Sequence, residues 1–314
     1  MKKQRYQLRL KGLQTPPGTI GIKALIDMCG LLMEAAERGL RLAVEGNSIK
    51  PGRMPVWLSK SLELTVTGLE KGSTVLDIEA PVLGETARNQ IRQQDLWYTP
   101  PKPDDTALTL VCRSVHDTTA ENLDSDMYDG GVLASLLSFR PFLKRYAERI
   151  DLRCQSRARD RLQLDEGEME KIRRLRMRTP QPRALLVSGL CDVIEHNRRR
   201  FRLVLNGSGP ILGVLDPEFL SVEHMRRFWG KRVTIKGMVH FRASGRPRLI
   251  EAQVIKPMEQ GEEIFQAVPY QQTEAEFMRG ARQAGEGKDW LKNVWGKWPG
   301  DESAEELLAA LKGS

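Results

Sequence analysis

The chain has 314 residues, 40% of them hydrophobic, and a formal net charge of +8. That length accommodates one large domain or two to three smaller ones with proper cores. No run approaches the ~18 apolar residues of a membrane span, and the start MKKQRYQLRLKGL lacks the apolar stretch of a secretory signal.

The four cysteines (Cys29, Cys112, Cys154, Cys191) lie far apart and form no CxxC pair, which predicts reduced thiols in a cytoplasmic protein. The charge is uneven. Residues 1–150 carry 20 basic and 18 acidic side chains, residues 151–257 carry 23 and 12, and residues 258–314 carry 6 and 11. The middle segment, at +11, suits a polyanion, and the C-terminal segment, at −5, is its electrostatic opposite.

Residues 1–154 read as an α+β domain without assignable chemistry. RYQLRLKGL alternates as a strand. One long helix is predicted from about Thr19 to Glu45, closed by Gly46. SLELTVTGLEKGSTVLDIEAP reads as a hairpin turning at Glu70-Lys71-Gly72. QQDLWYTPPKPDDT is a Pro-rich loop, ALTLVCRSV another strand, and GGVLASLLSFRPFLKRYAERI a helix bent at Pro141. Residues 155–182 read as a charged linker with a short helix, bounded by Pro180 and Pro182. Its arginines suit either phosphate contact or a solvated charged face.

Residues 183–257 give the order β-β-β-α-β-β. VSGLCDVIEHNRRRFRLVL, followed by GKRVTIKGMVHFRASGRPRLIEAQVI, resembles an OB-fold barrel, with Gly189, Gly213 and Gly237 where strands coil or bulge. The resemblance implies nucleic-acid binding, DNA or RNA, while a protein-binding or purely structural barrel stays open. If Phe201, Leu203, Val233 and Ile235 face inward, strand alternation turns Arg200, Arg202, Arg232, Thr234 and Lys236 outward. Arg198, Arg199, Arg242, Arg246 and Arg248 sit in or beside turns and would complete a basic groove. Trp229 and Phe228 are expected to plug the barrel end.

No catalytic constellation stands out, so the chain reads as non-enzymatic and without a cofactor. The four histidines are scattered without metal-ligand spacing. NLDSDMYDGG offers Asp124, Asp126 and Asp129 in a faintly calcium-loop-like pattern. However, Tyr128 and Ser135 stand at positions that such a loop fills otherwise, so a polar helix-entry loop is the plainer reading.

Residues 258–314 form an acidic tail, predicted as helical and partly disordered, with Trp290, Trp295 and Trp298 close together. Pro299-Gly300 is a turn, Ser303 has capping-box spacing to Glu306, and Leu307, Leu308 and Leu311 share a helix face. VWGKWPGDESAEELLAALK resembles the C-terminal segment of VapB-like antitoxins, bacterial proteins that neutralise PIN-domain ribonuclease toxins. Trp298, Gly300, Asp301 and Glu302 match that motif. The resemblance implies a PIN-type nuclease as partner, with Lys297 among the basic residues that would reach its carboxylates. The leading expectation is an antitoxin-like protein that contacts nucleic acid through its barrel. The alternative is an OB-fold nucleic-acid-binding protein whose tail packs on itself.

Overall fold

Alternation makes Lys3–Lys11 a strand, β1, with Gln4, Tyr6, Leu8 and Leu10 buried and the basic residues between them outside. The computed structural model describes residues 2–16, 18–69, 74–91, 100–195, 199–206, 209–216 and 219–268. Helix α1 covers Ile22–Glu45 and buries a stripe through Met28, Leu32, Ala36 and Leu40. Gly46 closes it as expected, in the left-handed region at φ 83°, donating its N–H to the Leu42 carbonyl. Next come α2 (Val56–Ser61), the antiparallel pair β2 (Thr65–Leu69) and β3 (Val75–Pro81), and the short helices α3 (Leu83–Thr86) and α4 (Arg88–Ile91).

The stretch ALTLVCRSV is not a strand but helix α5 (Ala107–Thr119). The Thr106 hydroxyl accepts from the Thr109 N–H, and the Thr109 side chain accepts from the Thr106 N–H, a capping box. Most sides of α5 are buried, so its apolar residues show no period that separates helix from strand. The predicted bend at Pro141 is a break: α6 (Gly130–Leu137) and α7 (Phe139–Arg145) meet at Ser138, since Pro141 has no N–H for the Leu137 carbonyl. Strand β4 follows over Arg149–Cys154.

The segment expected as a linker is built into this first body. It forms β5 (Arg161–Leu164) and α8 (Glu166–Arg178), and Leu162, Leu164, Met169, Ile172 and Leu175 are buried in the same core as Tyr6 and Leu40. Those apolar residues are spaced out along a heavily charged stretch, so composition masked them. The sheet order is β2-β3-β1-β4-β5, antiparallel throughout.

The second core lies inside a closed five-stranded mixed barrel of β6 (Arg183–Glu195), β7 (Arg200–Leu205), β8 (Gly209–Leu215), β9 (Lys231–Phe241) and β10 (Pro247–Pro257), with α9 (Val222–Arg226) between β8 and β9. The order around it is β10-β8-β7-β6-β9, and β8 runs parallel to β10, which is compatible with an OB-like barrel. Phe201, Leu203, Val233 and Ile235 fill the interior as expected. Gly213 is there for close approach, since a Cβ would stand 2.0 Å from the Phe201 ring. A 3-10 helix, Glu262–Gln266, lies against β6, and the Glu262 carboxylate accepts from the Thr234 hydroxyl at 2.6 Å. Thr234, expected outside, is therefore buried.

The barrel meets the first body at the C-terminal end of α1 and the α5–α6 connection. Arg200 donates to the Val44 carbonyl and Arg248 to the Gly46 carbonyl (2.9 Å), satisfying the end of a helix whose last carbonyls have no partner within it. The hairpin between β9 and β10 buries Ala243 in the first core and donates the Ser244 N–H to the Leu123 carbonyl at 3.0 Å. Asp129 joins all three parts. It caps α6 through the Gly131 and Val132 N–H groups, accepts from the Ser48 hydroxyl at 2.6 Å, and lies 3.7 Å from Arg248. Burial alone would raise its pKa. Arg248, the Ser48 hydroxyl and the backbone N–H groups outweigh that and hold its carboxyl below the usual range.

A carboxyl with a depressed folded pKa stabilises the fold above its unfolded value of about 4, and that contribution is lost as pH falls through the folded value. Urea unfolding of Asp129→Ala should show about 2–3 kcal/mol of lost stability at pH 7, from the cap and the charge partner together. The deficit should shrink on acidification below about pH 4, as the wild-type carboxyl takes up its proton. A pH-independent deficit would contradict this role.

Candidate nucleic-acid interface

Barrel topology divides the cations expected in one groove. Arg200 points away from the barrel interior as alternation requires, but it is buried, 4% exposed, in the contact with α1. Its guanidinium is committed to that contact, and it adds to a cleft wall rather than to an exposed face. Arg202, two positions along β7, is half-buried and its Nε donates to the Asp192 carboxylate at 2.6 Å. Arg232 and Lys236 are exposed on β9, on the other side of β6 from β7. They flank the strip that the 3-10 helix covers. Arg199 is exposed in a left-handed turn at φ 53°. Arg242 pairs with Asp126 at 2.8 Å and Arg246 with Asp124 at 3.3 Å. Asp124 and Asp126 thus serve the body–barrel contact, and among the described residues no group of three or more His, Cys, Asp or Glu side chains is placed to hold a metal ion. Arg198 lies outside the described residues, as do Trp290, Trp295, Lys297, Trp298, Gly300, Asp301, Glu302, Leu307, Leu308 and Leu311.

The structure brings Arg200, Arg202 and Arg242 together with Arg248 around one open cleft of about 300 Å³. Leu42, Pro210, Ile211, Leu212 and Leu249 supply its apolar wall, and Asp126 the carboxylate in its lining. Strands β7 and β8 and the β9–β10 hairpin meet here, the region through which OB-type barrels take oligonucleotides. The Arg202–Asp192 and Arg242–Asp126 pairs are partly exposed, with side-chain exposures of 16%/24% and 23%/43%. Arg202 grips both oxygens of Asp192, so a competing ligand has to offer the same two-pronged acceptor geometry, which a phosphate does.

Asp192 organises the neighbouring surface. Cys191 pairs with Leu203 and Val193 with Arg202, so Asp192 is the extra residue of a β-bulge in β6. Its carboxylate holds Arg202, and its carbonyl accepts the Trp229 indole N–H at 2.9 Å. Trp229 does not plug the barrel. Phe228 does so, 5% exposed, and Trp229 follows it out of the core at 67% exposure. Helix α9 ends at Arg226, and in the turn that follows the adjacent Phe228 and Trp229 side chains diverge, one inward and one outward. Asp192 thus holds an exposed aromatic ring through its carbonyl and a guanidinium through its carboxylate, a combination able to stack a base and hold its phosphate.

His240, 3.5 Å from Glu251, and His224, beside Arg227, are engaged in pairs of their own. The Cys191 thiol is pushed up to about 12 by burial and by the charge of Asp192, which leaves it protonated and unreactive at neutral pH. No protein-family model, curated protein or solved structure matches this chain.

Proposed function

We propose that this chain binds single-stranded nucleic acid through an OB-like barrel, without catalysing a reaction. The observation that carries the reading is Asp192, which holds the exposed Trp229 ring through its carbonyl and, through its carboxylate, Arg202, a residue of the arginine-lined cleft. A base stacks on Trp229, and the flanking phosphates displace Asp192 and Asp126 from Arg202 and Arg242. Stacking and charge recognise the strand without reading base edges, so the reading implies weak sequence preference.

Fluorescence-anisotropy titrations with a short single-stranded oligonucleotide test this. Trp229→Ala should cost about 1–3 kcal/mol of affinity, as expected for one stacked base, with the melting temperature held. Asp192→Asn should act in the opposite direction. Removing the charge that competes for Arg202 through two hydrogen bonds should raise affinity at least a few-fold. Unchanged affinity in Trp229→Ala would overturn the proposal.

A second reading rests on the tail motif around Trp298, Gly300, Asp301 and Glu302, which supports neutralisation of a PIN-type nuclease alongside strand binding. In cells co-expressing the full chain with a candidate toxin, Trp298→Ala with Leu308→Ala should lose protection, because a Trp hot spot is worth about 2 kcal/mol or more. Full protection by that variant would remove this reading and leave the barrel proposal intact.

A further inference from the structure

The first body holds a second basic surface, well separated in sequence from the barrel residues. Strands β1, β3, β4 and β5 turn Tyr6, Leu8, Ile78, Ile150, Leu152 and Leu164 into the core, so their alternate residues share the opposite face of the sheet. That face presents seven cations, Lys3, Arg5, Arg9, Lys11, Arg149, Arg153 and Arg161, against three carboxylates, Asp77, Glu79 and Asp151, a net charge of +4.

Two carboxylates are shared. Glu79 lies 3.6 Å from Lys3 and 3.2 Å from Arg5, and Asp151 lies 3.3 Å from Lys11 and 2.8 Å from Arg149. Arg9, Arg153 and Arg161 are exposed and make no ion pair with any described residue. Their placement is not what folding alone favours. Arg153 stands directly across from Arg161 in the β4–β5 register, and like charges in that position destabilise a sheet. Arg9 is one strand over, opposite Asp151, on the diagonal from Arg153. Along β1 the cations Lys3, Arg5, Arg9 and Lys11 are separated by even numbers of residues, about 7 Å for each step of two. The face is therefore an open lattice of positive charge on a rigid support.

We propose that this sheet face is a docking surface for the phosphate backbone of double-stranded nucleic acid. Charge complementarity selects a polyanion. The face carries no aromatic residue, so it has no platform for the unstacked bases of a single strand, whereas a duplex keeps its bases inside and offers phosphates alone. This surface goes beyond the barrel reading and stands independently of it.

The test uses the full chain and a 24-base-pair duplex of mixed sequence, as DNA and as RNA, titrated between 50 and 200 mM KCl. Wild type should bind with a steep salt dependence. Arg9→Gln/Arg153→Gln/Arg161→Gln should flatten the log–log slope by about 2–3, as expected for three lost phosphate contacts, and weaken binding at 50 mM at least tenfold. Arg9→Lys/Arg153→Lys/Arg161→Lys should keep the wild-type slope. Arg153→Gln alone should remove about a third of the effect, which keeps the test informative if the triple Gln variant folds poorly. Oligonucleotide binding by the barrel should be unchanged in all three, so the two surfaces succeed or fail separately. Duplex binding with an unaltered slope in the folded triple Gln variant would overturn the proposal. So would binding to vesicles containing phosphatidylserine with none to either duplex.

Discussion

The architecture depends on how the carboxyl end of α1 is satisfied. A helix of 24 residues ends with carbonyls that lack intrahelical partners and with the negative pole of its dipole. Gly46 closes one of them, and the barrel supplies guanidinium groups for Val44 and Gly46. Arg248 is buried there and needs a counter-charge, which Asp129 provides from the start of α6. The same few atoms therefore end one helix, begin another and fix the barrel against both. This explains why the contact is polar and directional rather than a smooth apolar seam, and why the cleft beside it is lined with arginine.

Holding the barrel in this way uses up much of its positive charge but leaves a defined remainder. Arg200 and Arg248 are committed to the helix end. Arg202 and Arg242 are tied to partly exposed carboxylates, which a phosphate can replace. The bulge at Asp192 connects this remainder to Trp229, so that one irregular residue in β6 positions both a cation and an aromatic ring. The first body adds a second cationic surface on the face of its sheet opposite the core, of a different character. Its strand residues include no aromatic, whereas the barrel cleft shares Arg202 with the Asp192–Trp229 contact.

The barrel was legible in the sequence because five short apolar strands stand in an OB-like order around one short helix, and its glycines sit where a Cβ would strike a neighbour, as at Gly213. α1 was legible too, from its long stripe and its closing glycine. Other elements were hidden for stated reasons. α5 is apolar around most of its circumference, and a short apolar run fits a strand equally well. α8 and β5 carry few apolar residues in a charged stretch that looks like linker. The basic residues of the barrel could be counted but not sorted. Alternation correctly turns Arg200 outward, yet nothing local to β7 says that α1, more than 150 positions earlier, covers it. The site was half visible for the same reason: its arginines follow from composition, while the bulge that joins Arg202 to Trp229 is a property of strand register.

The central claim is that single-stranded nucleic acid lies across Trp229 and the arginine cleft. The most direct measurement is ultraviolet cross-linking of the full chain to a short single-stranded oligonucleotide, with the adducts located by mass spectrometry. The account predicts adducts on the peptide containing Trp229 and on those from β7 and the β9–β10 hairpin. Adducts absent from all three, or confined to residues 269–314, would contradict it.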